Sequence, residues 1–240
     1  MTTTKARKSS LSNATAWGVV LASGRSSEFG ADIETVFLTL GSKPILTYSL
    51  SAFERCTDIE GLVLVTSKER LESLRAMVHM FGCPKVKSII AGPANREEAV
   101  LAGLNVAMEH HAGIVTVHDG ARPGVTSDLI SETVRLARKH GAAAVATPLA
   151  DPVGESAKGA KLSGLVEGAP LYSIASPQSF SAAILHKALT TAAKKKLHPA
   201  DEATAVAALK QEVHLAVSKR PLVRIASPVD LTIAEVLLKR

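Results

Sequence analysis

The chain has 240 residues, 46% of them hydrophobic and 21% charged, with a formal net charge of +6. That length supports one large α/β domain or one domain with an extension, and no apolar run reaches the roughly 20 residues of a membrane span. A positive balance suits an anionic ligand, but there is no basic stripe and only 3% aromatics, which argues against nucleic acid.

Residues 1–15 are rich in Ser, Thr, Lys and Arg, contain no acid, and read as a disordered tail ahead of a single domain over 16–240. Trp17–Ala22 is a short apolar run without helical period, which predicts a buried strand. Small residues follow it in Ser23-Gly24-Arg25-Ser26-Ser27. Such a loop can turn tightly and present successive backbone N–H groups to an anion, although an ordinary strand-to-helix turn has the same composition. Lys43–Phe53 has proline near its start and apolar residues at helical spacing, so it predicts a helix. Gly61–Thr66 reads as a second strand, Lys68–Phe81 as an amphipathic helix ended by Gly82, and Lys85–Ala91 as a third strand. A helix over Arg96–His110, a strand over Gly113–His118, a helix over Thr126–His140 and a strand over Ala142–Pro148 complete the regular part.

This alternation predicts a mainly parallel, twisted sheet with helices on both faces. The rhythm stops at about Ala150–Leu171, which is either a projecting arm, at about 150–172, packed on a second subunit, or a surface loop. Beyond it, Ser179–Lys194 and Ala200–Lys210 predict helices, and Val213–Val217 and Leu222–Ile225 short strands. Ser227-Pro-Val-Asp230 caps a last helix, Leu231–Lys239. The two cysteines, Cys56 and Cys83, form no disulfide framework or zinc pattern, which predicts a reducing, cytoplasmic setting.

Four loops then fall at strand ends: Ala22–Gly30, the turn from Gly92 to Arg96, His118–Pro123 and the region of Asp151. An acid at such a place, like Asp119, can hold Mg²⁺ through phosphate or a ribose hydroxyl, or can simply cap a turn. Arg122 can clamp an anion or pair with a nearby acid, and His118 reads as a structural hydrogen-bonding group.

His118-Asp-Gly-Ala-Arg-Pro123 resembles the His-Asp-Ala-Ala-Arg-Pro signature of the 2-C-methyl-D-erythritol 4-phosphate cytidylyltransferases. Further pieces follow in the family's order: Ala22-Ser-Gly24, Gly41-Ser-Lys-Pro-Ile-Leu46, Arg96 to Leu104, Ser176-Pro-Gln178, Asp201-Glu-Ala203 and Pro228-Val-Asp-Leu231. The resemblance implies a Rossmann-like nucleotidyltransferase fold, and the projecting arm, marginal alone, predicts a homodimer formed through it. It also implies transfer of CMP from CTP to a sugar or polyol phosphate, with Mg²⁺ and release of pyrophosphate, in isoprenoid precursor synthesis. Its implied nucleotide contacts are Ala22, Ser23, Gly24, Arg25, Gly92, Arg96, Asp119 and Gly120. Asp119 is also the implied metal ligand, Asp151 and Ser176 belong to the acceptor side, and Arg224 is the implied catalytic cation, in place of a lysine.

Departures from the pattern fall on charged positions. Glu28 stands where the family has an arginine, and Thr35 where it has a lysine. On the acceptor side, Pro152, Gly168 and Ala200 replace a threonine, an arginine and a threonine, and Ala99 replaces a serine of the Arg96 segment. Catalysis of phosphoryl transfer is mostly placement and charge stabilisation, so these changes predict weak CTP binding and little turnover. Arg25 and Lys43 are the nearby cations that could substitute. Two other readings stay open: a non-catalytic nucleotide- or partner-binding protein, and a nucleotidyltransferase with another acceptor.

Overall fold

In chain order the elements are β1 (Ala16–Leu21), β2 (Thr39–Leu40), β3 (Lys43–Pro44), α1 (Ile45–Arg55), β4 (Ile59–Thr66), α2 (Leu71–Met80), β5 (Val86–Ala91), α3 (Arg96–Glu109), β6 (Ile114–Asp119), α4 (Ser127–His140) and β7 (Ala142–Pro148). They continue with β8 (Gly154–Glu155), β9 (Gly164–Leu165), β10 (Tyr172–Ser181), α5 (Ala182–Lys194), α6 (Glu202–Ala207), β11 (His214–Val217) and α7 (Pro228–Leu238). This computed structural model describes residues 11–24, 26–29, 33–157 and 159–239.

β1 is apolar on both sides. Trp17, Val19 and Leu21 join one core, and Ala16 and Val20 the other, as the two-residue period of a strand requires. A strand buried on both faces belongs inside a sheet flanked by helices. β1 accordingly pairs in parallel with β4 on one side and β6 on the other, within a seven-stranded sheet of order β11-β7-β10-β6-β1-β4-β5. One core sets Val100, Leu104 and Ala107 of α3, with Leu185 and Leu189 of α5, against the sheet. The other sets Leu46, Leu50 and Phe53 of α1, Leu74 of α2, and Ile130 and Val134 of α4 against the opposite face. A fully buried side chain such as Phe53 or Phe180 contributes about 1.5–3 kcal/mol relative to exposure.

The fold is the α/β architecture that the alternation predicts, with differences in detail. Lys43 and Pro44 are not helical: they pair with Thr39 and Leu40 as a tiny hairpin, and α1 starts at Ile45. Lys68–Arg70 is a separate 3₁₀ turn ahead of α2. Ser179–Ser181 belong to a strand, because Tyr172–Ser181 forms β10, which runs antiparallel between β6 and β7. Its register shifts between Ala175 and Gln178, where Pro177, lacking an N–H, interrupts the ladder; the Ser176–Pro177 bond is cis. Leu222–Ile225 is not a strand; Leu222 and Ile225 are buried there, and Ile225 N donates to Ala121 O.

β8 and β9 form a separate antiparallel ladder, with Leu162 and Leu165 exposed beside it. Of residues 1–15, positions 1–10 lie outside the described residues. Leu11 and Ala14 pack against the core, and Arg138 donates to Ala14 O.

Candidate active site

The carboxyl ends of β1, β4, β5 and β6 open on one cleft. Its floor is backbone. Gly120 N donates to Leu21 O at 3.0 Å, and a Cβ at Gly120 would lie 2.8 Å from that same oxygen, so a larger residue would push the two strands apart. Ala22 is fully buried, its N–H bonded to Val65 O and its carbonyl to Thr66 Oγ1. Gly92 N donates to Thr66 O. Ala22, Gly92 and Gly120 thus shape the cleft through backbone packing.

The first loop leaves β1 through Ser23 and Gly24, the latter at φ 132°. Thr35 N returns to Gly24 O at 3.2 Å, and Ser26 Oγ donates to Ala226 O, which ties the loop to the segment before α7. Between them lies a hollow of about 240 Å³ lined by Ser23, Gly24, Ser26, Thr35, Asp119 and Arg224. It continues into a space of about 640 Å³ that adds Lys68, Gly92, Arg96, Glu34 and Glu69.

Asp119 holds the centre. Its Oδ1 accepts from Ala121 N at 3.1 Å and its Oδ2 meets Arg224 Nε at 2.8 Å. Arg96 stands at the start of α3, whose cap is Asn95, and its guanidinium makes a two-pronged pair with Glu202 at 3.1 Å on each prong. Glu202 is 2% exposed, so removing Arg96 would strand a buried carboxylate, a change of the kind that costs about 3–5 kcal/mol. Burial alone would lower the Arg96 guanidinium, but Glu202 carries it above its ordinary value. Gln178 joins the same cluster by donating to Asp201 Oδ2 and accepting from Ala203 N.

Beneath the carboxylate lies a buried chain. Asp119 N donates to Ser176 Oγ at 3.0 Å, Ser176 Oγ lies 3.2 Å from His118 Nδ1, and His118 Nε2 lies 3.2 Å from Ser49 Oγ. Burial pushes the His118 imidazole down to about 3, against the pull of Asp119 and with the help of Arg122, so the ring is neutral. Arg122 turns away from the anion role: Nη1 donates to Leu222 O, and burial first, with Arg224 and Arg96 behind it, lowers the group.

Ser23, Gly24, Gly92, Arg96, Asp119 and Arg224 all line the cleft. Ser176 lies under Asp119, 4% exposed, with its hydroxyl facing inward. Asp151 is exposed at the root of the β8–β9 ladder and does not line the cleft. Arg25 lies outside the described residues. Glu28 is exposed on a 3₁₀ turn at the rim, whereas Thr35 is buried. Lys43 stands over the Tyr48 ring, 4.2 Å from its centroid, and faces a different hollow of about 750 Å³ between α1 and α7. Lys68, at the end of β4, lines the cleft instead; the sequence placed it inside an ordinary amphipathic helix, and only its position after a strand could have marked it.

Residues 17–240 match the model of the family described as 2-C-methyl-D-erythritol 4-phosphate cytidylyltransferase, IspD. The chain belongs to this family. A protein of that name from Geobacter metallireducens is 32% identical over 93% of this chain and 97% of its own length. Another from Desulforamulus reducens is 33% identical over 92% and 95%. The crystal structure of 4-diphosphocytidyl-2C-methyl-D-erythritol synthase from Anaerococcus prevotii superposes with a TM-score of 0.83 over 96% of this chain and 99% of that one, at 18% identity, and so shares the fold. No helix among the described residues is long and apolar enough to cross a membrane.

Proposed function

We propose that the protein binds CTP, or a closely related nucleotide, in this cleft, and that it transfers the cytidylyl group slowly to a sugar or polyol phosphate. The observation that carries this reading is the Asp119–Arg224 pair inside the loop hollow. It offers one carboxylate and one cation at the place where phosphates would sit, while Glu28 and Thr35 add no positive charge around it. In the transfer, an oxygen of the acceptor phosphate would form a bond to the α-phosphorus as the bond to the β-phosphate's bridging oxygen breaks, and pyrophosphate would leave with the electron pair.

Loop backbone amides would bind the phosphates, and Arg224 and Lys68 would face their charge. Arg96 would remain with Glu202 and keep the wall of the site rigid. Mg²⁺ usually takes one or two carboxylates plus substrate phosphates, and no cluster of three His, Cys, Asp or Glu side chains stands ready for a metal among the described residues. Asp119 fits that pattern once Arg224 releases Oδ2. The ion would then supply charge neutralisation for the departing pyrophosphate.

The acceptor side supports a dimer. Asp151 is exposed at the root of the β8–β9 arm, and Leu149, Leu162, Leu165 and Ile174 are exposed around it. Two-stranded ladders are marginal alone, so we take the arm to pack on a second copy. Two buried, free cysteines accord with a cytoplasmic setting.

Pyrophosphate release with CTP, Mg²⁺ and methylerythritol phosphate tests the reading. The expected rate is well below the usual range of about 1–10³ per second. A rate inside that range would overturn the claim of slow transfer. Absence of nucleotide binding would overturn the site.

A further inference from the structure

The buried chain under Asp119 has one consistent direction. Asp119 N can only donate, so Ser176 Oγ accepts from it at 3.0 Å. At the other end, Ser49 Oγ lies 3.3 Å from Arg122 O and 3.5 Å from Gly120 O, and both carbonyls can only accept. The His118 ring is itself hydrogen-bonded to the Arg122 backbone, whose carbonyl can only accept, so the ring nitrogen on that side, Nε2 at 3.2 Å from Ser49 Oγ, carries the proton and leaves the Ser49 hydrogen for backbone. His118 Nδ1 is then the bare nitrogen, and it accepts the hydrogen of Ser176 at 3.2 Å. Every group in the chain is satisfied in this order. With the other tautomer, Nδ1 would donate into Ser176 Oγ and leave the Ser176 hydrogen without an acceptor in the chain, and Nε2 would compete for the one Ser49 hydrogen.

The four residues come from three places: Ser49 from α1, His118 and Asp119 from β6, and Ser176 from β10. His118 and Ser49 are fully buried, and Ser176 and Asp119 are 4% and 7% exposed. No substrate could touch His118. Its effect must pass through Ser176 to the Asp119 backbone, and from there to the carboxylate that meets Arg224 at 2.8 Å.

We infer that His118, as its Nε2–H tautomer, is a positioning residue for the nucleotide site: it orients the Ser176 hydroxyl, which fixes the Asp119 backbone and so the direction of its carboxylate. Its consequence for ligand binding rests on the reading that the cleft holds a nucleotide.

The test has a ligand-free part. Two-bond proton–nitrogen NMR of the ¹⁵N-labelled natural protein at pH 7 should show His118 Nε2 protonated and Nδ1 bare, and a protonated Nδ1 or an averaged pair of signals overturns the inference. The Arg224 Nε–H resonance reports the bond to Asp119. It should stay in place in H118N, whose amide oxygen can replace Nδ1 toward Ser176. It should move in S176A and in H118Q, whose amide nitrogen can reach Ser49 alone.

Calorimetry with CTP and Mg²⁺ adds the binding readout. H118N should bind within about threefold of the natural protein, and H118Q and S176A about tenfold more weakly, the scale of one lost hydrogen bond. The double variant H118Q/S176A should be no weaker than either single one, because both break the same link. Equal losses in H118N and H118Q that track thermal stability would mean plain core damage and would overturn the inference. A natural protein that binds no CTP sinks the nucleotide reading instead, and the two NMR readouts then decide the positioning role by themselves.

Discussion

Arg224 Nε sits 2.8 Å from Asp119 Oδ2, with the arginine side chain 54% exposed and the aspartate 10%. The pair joins the segment before α7 to the end of β6, and it places a solvent-facing cation over a nearly buried acid. An exposed guanidinium is poorly placed to stabilise the fold but well placed to meet an incoming anion.

Replacing Arg224 with alanine should therefore change stability by less than about 1 kcal/mol, since ion pairs with an exposed partner contribute little. CTP affinity in the presence of Mg²⁺ should fall about tenfold, and Arg224→Lys should recover most of it because the charge is kept. Urea unfolding and calorimetry on the same preparations separate the two effects. A loss of several kcal/mol with unchanged affinity would make Arg224 a structural residue.

Glu28 is exposed at the rim of the loop hollow, next to Ser27, which lines it. Two unit charges about 4 Å apart interact by about 4 kcal/mol at an effective dielectric of 20, and by less where solvent and salt screen them. Glu28→Arg should raise CTP affinity by about tenfold or more at low ionic strength, with the gain shrinking as salt is added. Thr35→Lys is the harder change: Thr35 is 4% exposed, and a longer side chain there should cost about 1–3 kcal/mol before its charge can help. An affinity for CTP that Glu28→Arg leaves unmoved at every salt concentration would show that the rim does not face phosphate.

The segment carrying Arg224 is anchored by the cap of α7. Asp230 Oδ2 accepts from Ala226 N, Ser227 N and Ser227 Oγ at 2.8–3.0 Å. Burial would raise the Asp230 carboxyl, but these hydrogen bonds hold it below its ordinary value. A depressed carboxyl stabilises the fold above its unfolded value, near 3.9, and loses that contribution as pH falls through the folded one. Asp230→Asn should thus destabilise by about 1 kcal/mol at pH 7, with the difference from the natural protein narrowing toward pH 3. Thermal melts across that range check the sign; a gap that widens in acid contradicts it.

The proposed dimer has its own test. Ile174 on β10 and Val217 on β11 both pair with Ala146 of β7, so the three side chains form a row on one face of the sheet. Ile174 is 38% and Val217 54% exposed, an apolar row beside the arm. The double change Leu165→Asp with Ile174→Asp should turn a dimer mass into a monomer mass in light scattering at tens of micromolar, with the fold kept. A natural protein that is already monomeric there would refute the proposed association.

Much of the scaffold was legible because both signals were strong. Buried strands such as Trp17–Ala22 and Ala142–Ala146 are short apolar runs, and α4 carries a clean apolar stripe ended by Gly141. β10 was not legible. It is written Tyr-Ser-Ile-Ala-Ser-Pro-Gln-Ser-Phe-Ser, with four serines and a proline, and its polar groups are satisfied only by long-range partners: Ser179 by Thr116 and Thr133, Gln178 by Asp201 and Ala203. No local period announces such a strand. The site motif around His118–Pro123 pointed to the correct strand end, but the roles of its neighbours depended on the fold. Lys43 is near the first loop in sequence and faces away from it, Lys68 is far in sequence and lines the cleft, and Ser176 carries its hydroxyl inward to Asp119 N.

The most direct test of the central claim is calorimetric titration of the natural protein with CTP in the presence and absence of Mg²⁺. With Asp119, Glu34 and Glu69 in its lining, Arg224 and Arg96 already paired and an acid at position 28, the cleft should bind CTP only with Mg²⁺ and with a dissociation constant near the millimolar range, about −4 to −5 kcal/mol. A low-micromolar constant, about −8 kcal/mol, would contradict the account of a nucleotide site short of cations.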